Sequence, residues 1–367
     1  LPEAVTQMAQ QGLENNRIHT GPWVEVDDNS FENVVELFAL LPKKTMAIVG
    51  LGGGKALDMA KYLAFLARLP YLAVPTSLSN DGFCSPQSSL TMHGKRRSLA
   101  ATLPQGVIID VDVCLSAPRA LWLSGVGDLV AKLTAVHDWK LSFHNTGEPV
   151  NDLAALLSDA TVHQFLANPT HDASGMALLG TALMLNGIAM EICGSSRPTS
   201  GSEHLISHAL DATSAHPRLH GLQVGMASYF VSQFQERNTE LLAHVFTKTG
   251  FWDAVRAAPF SRQEWLHAIR LAPDMKENFF TVLSLRDWLP ETLRILEETF
   301  RLIDPPLICR LSIAGKHLLR IRKAAGSHWN EEPYLSVRLA WRERYRHPRM
   351  IMFWHKVFKD LPRSFSR

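Results

Sequence analysis

The chain opens with short apolar runs separated by helical patterns. Residues 45–49 (TMAIV) form a nearly continuous apolar run that ends in glycines, the pattern of a buried strand. Residues 71–74 (YLAV) and 106–111 (GVIIDV), the latter after a turn at Pro104, read the same way, and 23–26 (WVEV) reads as a further short strand. Between them lie an amphipathic helix over 31–41 and a segment over 56–67 that is helical by composition. Strands separated by helices predict parallel pairing with right-handed crossovers. After Ser116 the β-branched runs give way to long helical stretches such as 176–192 and 223–234. The pattern therefore predicts an α/β domain over residues 1–118 and an all-α domain over 119–367, with the boundary near Leu115–Ser124. Their shared cleft is expected beyond the carboxyl ends of the strands.

Candidate chemistry gathers where that cleft is expected. The first buried strand runs into Gly50-Leu51-Gly52-Gly53-Gly54-Lys55-Ala56-Leu57-Asp58 and then a helix. Backbone without Cβ approaches a pyrophosphate closely, and a helix start favours an anion. The spacing matches neither GxGxxG nor a P-loop, and taken alone the cluster is equally a tight turn. The next strand ends in PTSLSNDG (residues 75–82), followed by Ser85-Pro86. These hydroxyls and a carboxylate suit either a ligand or an Asx/ST turn.

Three sites follow in the helical half. GVGDLVAK places Asp128 at an expected helix start, where an N-cap is the simpler reading. SGSEHLISH sets His204 and His208 one helical turn apart on one face, or on a merely polar surface. HGLQVG places His220 at the start of another helix. One Asp and two His supply three ligands and leave a position open for a substrate oxygen. A metal there lowers the pKa of an alcohol oxygen, and an adjacent nicotinamide accepts hydride from the carbon. His137, His144, His163, His171 and His216 lack such context and read as structural or surface residues.

Composition narrows the class. The 367 residues are 46% hydrophobic and 20% charged with a mean hydropathy of -0.03, which excludes a disordered tail, a collagen-like fibre and a membrane-embedded protein. The net charge of +2 conceals a basic carboxyl tail, with 14 Lys/Arg against 4 Asp/Glu from Arg310 onward. The four cysteines, Cys84, Cys114, Cys193 and Cys309, are far apart, which signals neither a disulfide framework nor a thiolate zinc site and suits a reducing compartment. No apolar run approaches the roughly 18–20 residues of a membrane span, and the amino end lacks a signal-peptide pattern, so a cytoplasmic protein is expected. The chain begins at Leu1, so a longer product is also expected.

Taken in order, GGGKALDMAK, PTSLSNDG with SP after it, GVGDLVAKLTAVHDW, GSSRPTSGSEHLISHALD and HGLQVGMA resemble the sn-glycerol-1-phosphate dehydrogenases, within the iron-containing alcohol dehydrogenase, glycerol dehydrogenase and dehydroquinate synthase superfamily. The resemblance runs from about Val24 to Ala227 and is most specific over Gly194 to Asp211. It implies a dehydroquinate synthase-like fold: a Rossmann-like amino domain, here without the family's first strand, and a helical carboxyl domain. It further implies NAD or NADP as cofactor, one divalent metal (zinc, nickel or iron), a homodimer, and reduction of dihydroxyacetone phosphate, a phosphorylated triose.

Carried over by position, the resemblance makes Asp128, His204 and His220 the metal ligands, with His208 completing the catalytic set. Asp81, Asp128 and His208 would contact substrate. The dinucleotide would lie on Gly52, Gly53, Gly54, Lys55, Ala56, Leu57 and Asp58, on Thr76, Ser77, Leu78 and Ser79, and near Ser85. Lys55 stands where these enzymes usually carry Ser and glycerol dehydrogenases often carry Lys, which keeps open a free polyol substrate; a dehydroquinate synthase-like lyase is the other alternative on the same fold, and the GSSRPTSGSEH segment argues against both. A binding paralogue without activity is the remaining alternative. The basic tail, including Arg342 and Arg344, is read as a structural or assembly element, with no nucleic-acid partner expected.

Overall fold

The computed structural model describes residues 3–303 and 350–352. Helices α1 (Glu3–Asn15) and α2 (Phe31–Leu40) come first, and the Ser30 side chain caps α2 by accepting from the Asn33 amide. An alternating region follows: β1 (Ile48–Gly52), α3 (Gly54–Ala67), β2 (Tyr71–Pro75), a hairpin of β3 (Gln87–Met92) and β4 (Lys95–Ala100), and β5 (Gly106–Asp110). Strands β1, β2 and β5 are parallel neighbours in that order, as the apolar pattern predicts. Gly52 pairs with Pro75, so β1 and β2 end level. The Thr76 amide donates to the Gly52 carbonyl at 3.0 Å, which ties the glycine turn and the loop after β2 to one edge of the sheet.

The helical region begins with α4 (Val111–Ser116), capped by the Asp110 carboxylate, and continues through α5 (Arg119–Val130), α6 (Lys132–Thr146), α7 (Asp152–Ala167) and α8 (Ala173–Cys193). Then come α9 (Ser202–Thr213), α10 (His220–Phe234), α11 (Thr239–Thr249), α12 (Phe251–Ala257), α13 (Arg262–Leu271) and α14 (Leu289–Ile303). Helix α8, which contains the expected helical stretch 176–192, is 21 residues long and apolar enough to cross a membrane by length and composition, which corrects the expectation that no apolar run approaches that length. More than half of it is buried, and it packs against α5, α7 and the short turn Asp81–Cys84.

Three other elements differ from expectation. Residues 23–26 are irregular, with Trp23 and Val24 exposed; among the described residues no strand pairs with them, and an isolated apolar alternation has little stability in water. The β3–β4 hairpin was not anticipated, because the charged, exposed β4 sequence KRRSLA hides the period of two. Its two-residue turn, His93-Gly94, has positive φ at both positions (49° and 73°), as hairpin turns favour. Met350–Met352 forms β6, antiparallel to β5, so the carboxyl segment is not helical throughout. The tail positions Arg342 and Arg344 lie outside the described residues.

The helices that matter most for the site cross very closely. A Cβ on Gly127 of α5 would stand 2.0 Å from the Gly221 carbonyl oxygen, and one on Gly221 of α10 would stand 1.8 Å from the Ser124 carbonyl oxygen. The Ser124 hydroxyl accepts from the Gly221 amide (3.0 Å) and donates to the Ser79 carbonyl (2.9 Å). One side chain thus joins α5, the start of α10 and the loop after β2. Substitution Gly221→Ala is expected to cost at least about 1–3 kcal/mol by overpacking, read as a lower urea midpoint. Gly12→Ala, with nothing within 4 Å, should leave the midpoint unchanged or slightly raised.

Candidate active site

Asp128 lies in the last turn of α5, not at a helix start. Of the glycines before it, Gly127 is required by the α5–α10 crossing and Gly125 by the close approach of the Leu78 carbonyl after β2. Helix α6 begins at Lys132, and its buried ammonium lies 3.2 Å from Asp128 Oδ2 and 2.9 Å from Asp81 Oδ2. The Asp81 amide also donates to Asp128 Oδ2, at 3.0 Å. The other oxygen, Oδ1, is buried without a hydrogen bond. It faces His204 Nε2 at 3.6 Å and His220 Nε2 at 3.8 Å.

One donor atom from each of these three residues lies within 4.8 Å of the others. An orphaned buried carboxylate oxygen opposite two imidazole nitrogens fits a divalent cation, and three protein donors leave a coordination position open. The electrostatics favour the ligand form at Asp128 and His220, whereas at His204 burial is outweighed by the Asp128 and Glu203 carboxylates, which raise the imidazole. Burial pushes the Asp128 carboxyl up, but Lys132 and the two imidazoles more than offset this and hold it well below the usual carboxylate range. Burial and the neighbouring His204 hold His220 well below its ordinary value, in the neutral form a ligand needs.

Residues absent from the sequence reading orient this set. His204 Nδ1 lies 2.9 Å from Glu203 Oε1, so a proton on Nδ1 donated to that carboxylate leaves Nε2 free toward Asp128. Glu203 is fixed in turn by the Gly201 amide (2.6 Å) and the Thr134 hydroxyl (2.9 Å). Asp138 of α6 accepts from the Ser202 amide (2.7 Å), the Val282 amide (2.9 Å) and the Gln235 side chain (2.9 Å); burial and then Glu203 push its carboxyl up to about 6. Lys132 was legible as the i+4 partner of Asp128, and Glu203 as the carboxylate adjoining His204. His220 Nδ1 sits 3.4 Å from the Ser207 hydroxyl.

Of the predicted dinucleotide positions, Gly54, Leu57, Asp58, Ser77 and Ser79 line one cleft together with Asn80 and Gly82. Gly52 has φ +141°, a conformation that requires glycine. Gly53 precedes α3 without a side-chain cap, so the first amides of that helix are open to an anion. Thr76 holds the Gly52 carbonyl as described, and Ala56 sits beneath Gly52. Lys55 reaches away, to the Asp27 carbonyl at 3.4 Å. Leu78 is buried in the core, and the Ser85 hydroxyl donates to the Gln87 carbonyl at 3.0 Å, so both side chains are engaged internally. Asp81 is mostly buried against Lys132, and burial followed by Asp128 raises its carboxyl. His208 is exposed on α9, one turn beyond His204.

The loop that delivers His220 to the site is anchored from α13. Arg218 Nη1 lies 2.7 Å from Glu264 Oε1 and Nη2 3.2 Å from Oε2, a two-point pair supported by the Ser214 hydroxyl and the Ser261 amide.

Residues 1–118 match the family model described as iron-containing alcohol dehydrogenase. The chain is 36% identical over 286 residues to a glycerol-1-phosphate dehydrogenase [NAD(P)+] of Thermofilum pendens, covering 76% of this chain and 81% of the relative. It is 35% identical over 279 residues to the enzyme of the same name from Metallosphaera sedula, covering 74% and 79%. Among solved structures, glycerol dehydrogenase from Schizosaccharomyces pombe superimposes with a TM-score of 0.61 at 19% identity, covering 81% of this chain and 84% of that one. That likeness shows the dehydroquinate synthase-like fold.

The Arg218–Glu264 anchor predicts an acid-sensitive loop. The Arg218 hydrogen bonds hold the Glu264 carboxyl down at about 2, against about 4.3 in an unfolded chain. A depressed carboxylate contributes stability above its unfolded pKa and loses it as pH falls through the folded one. Glu264→Gln is therefore expected to lower the urea midpoint at pH 6 and to narrow its deficit against wild type toward pH 3. An equal deficit at both values would contradict this linkage.

Proposed function

Because the chain belongs to the glycerol-1-phosphate dehydrogenase family, we propose that it interconverts dihydroxyacetone phosphate and sn-glycerol 1-phosphate as a metal-dependent oxidoreductase using NAD or NADP. The observation that carries the reading is the unpaired Asp128 Oδ1 facing two imidazole nitrogens, while its other oxygen accepts from the amide of Asp81, between the cleft-lining Asn80 and Gly82. Asp128, His204 and His220 would hold the cation, and this donor set accepts zinc, nickel or iron. When bound, the cation polarises the substrate oxygen as a Lewis acid and the nicotinamide exchanges hydride with the substrate carbon.

The chain's own groups prepare that chemistry. Lys132 keeps Asp128 ionised by pairing with the oxygen that does not face the imidazoles. Glu203 sets the tautomer of His204, so that Nε2 is the donor. His208 projects from the same helix into open space and is our choice for a hydrogen bond to a substrate oxygen. Asp81, joined to Asp128 through both its amide and Lys132, would orient a substrate hydroxyl. The glycine turn and Asp58, with Thr76, Ser77 and Ser79, are assigned to the dinucleotide. Residues 1–118 and 119–367 are read as two domains with the site between them, in a cytoplasmic homodimer acting on a small-molecule substrate.

The test is oxidation of NADH or NADPH by metal-stripped protein reloaded with zinc, nickel or iron, with dihydroxyacetone phosphate as acceptor. Turnover should require metal and fall at least about 100-fold in Asp128→Asn. Folded, metal-loaded protein that oxidises neither cofactor with this substrate would overturn the proposal.

A further inference from the structure

The β3–β4 hairpin has so far no part in the chemistry, yet it bridges the two sides of the cleft. On its inner side, β3 packs against α3, and the Lys61 ammonium of that helix donates to the Gln87 carbonyl at 2.6 Å. From β4, the Arg96 side chain crosses to the helical region, where its Nη1 lies 3.7 Å from Asp211 Oδ2. Asp211 follows His208 by three residues on α9 and so shares its face. It also accepts from Gln223 Nε2 (2.8 Å), which in turn reaches the Ser207 hydroxyl (3.1 Å) beside His220. Arg96 therefore stands over the face of α9 that carries the exposed imidazole. Its charge acts on His208, His220 and Asp58 as well as on Asp211.

The state of the guanidinium is telling. Arg96 Nε donates to the Ser89 hydroxyl at 2.5 Å, which fixes the plane of the group and uses one of its five N–H donors. The contact with Asp211 is long, and the Arg96 side chain is 50% exposed, so the pair is worth little and is easily exchanged. The lysines within the cleft are committed. Lys132 is shared by Asp81 and Asp128, and Lys61 donates at 2.6 Å to the carbonyls of both Gly82 and Gln87. At the rim, Lys276 is held by the Ser196 hydroxyl at 3.1 Å and lies 3.9 Å above the Phe279 ring.

A doubly charged phosphate entering beside His208 would need a cation not already spent. Arg96 meets that need with a planar fork suited to two-point phosphate binding. We infer that Arg96 is the specificity residue that recognises the phosphomonoester of the substrate, leaving its weak contact with Asp211 to do so. The inference rests on the function proposed above and deepens it: Arg96 would separate a phosphorylated triose from the free one. The same chemistry could come from the 2′-phosphate of NADP, but the reach of Arg96 to α9, the helix of His208, favours the substrate.

Two measurements test this on the full-length protein. The first is the thermal shift produced by inorganic phosphate in metal-free protein without cofactor, which needs no turnover. Wild type should be stabilised, Arg96→Gln should lose the shift, and Arg96→Lys should keep part of it. An equal shift in wild type and Arg96→Gln, or none in wild type, overturns the inference, even if the dehydrogenase activity stands. The second is steady-state kinetics of the metal-loaded enzyme with dihydroxyacetone phosphate, dihydroxyacetone, NADH and NADPH. Arg96→Gln should raise KM for dihydroxyacetone phosphate about 10- to 100-fold with little change in kcat, and leave KM unchanged for dihydroxyacetone and both cofactors. An equal rise for both trioses would mark a structural role, and a rise confined to NADPH would mark a cofactor contact; either contradicts the assignment. Absence of all turnover beside a wild-type phosphate shift lost in Arg96→Gln would sink the proposed reaction and leave phosphate recognition standing.

Discussion

The two oxygens of the Asp128 carboxylate have different surroundings, and the rest of the site is organised by that asymmetry. Oδ2 is saturated by the Lys132 ammonium and the Asp81 amide, while Oδ1 is buried with no hydrogen-bond donor. A buried acceptor left unmatched costs about 1–3 kcal/mol, so such an arrangement persists only where the surroundings enforce it. Here enforcement comes from packing. Gly127 and Gly221 let α5 and α10 approach until backbone meets backbone, which sets the end of α5 against the start of α10 and brings His220 to Asp128.

The same logic links the two halves of the molecule. The α/β region supplies the glycine turn and the loop after β2, and the helical region supplies the aspartate and the histidines. A shared apolar core joins the two regions, and a small set of polar groups fixes the loops against one another. Ser124 bonds the Ser79 carbonyl, the Asp81 amide bonds Asp128, and Lys132 bridges both aspartates. Lys61, fully buried, ties α3 to the Asp81–Cys84 turn and to the start of β3 through two carbonyls. The loops of the two regions are thereby fixed to one another by buried polar contacts, which lose more when broken than exposed ones do.

The βα rhythm, the glycine turn and the Asp/His/His set were all legible in the sequence, because each depends on local patterning or on residue chemistry. The geometry of Asp128 was not. Its segment reads as a helix start, whereas Gly125 and Gly127 answer to the Leu78 carbonyl and to α10, which no local pattern reveals. Glu203 and Lys132 adjoin the ligands in sequence at one and four residues, yet their roles depend on burial and on which oxygen they face. The WVEV segment shows the converse: a strand-like pattern with no partner strand stays irregular. The hairpin went unnoticed because its outer strand is charged and mostly exposed.

The central claim is that Asp128 Oδ1, His204 Nε2 and His220 Nε2 share one cation. Anomalous diffraction at the absorption edge of the loaded metal, from crystals of reconstituted protein, addresses it directly. The account predicts a single strong peak between these three atoms, bonded to each at about 2.0–2.2 Å if the metal is zinc. A metal peak elsewhere on the chain, or loaded crystals in which the Lys132 ammonium rather than a metal bridges Asp128 to the imidazoles, would contradict it.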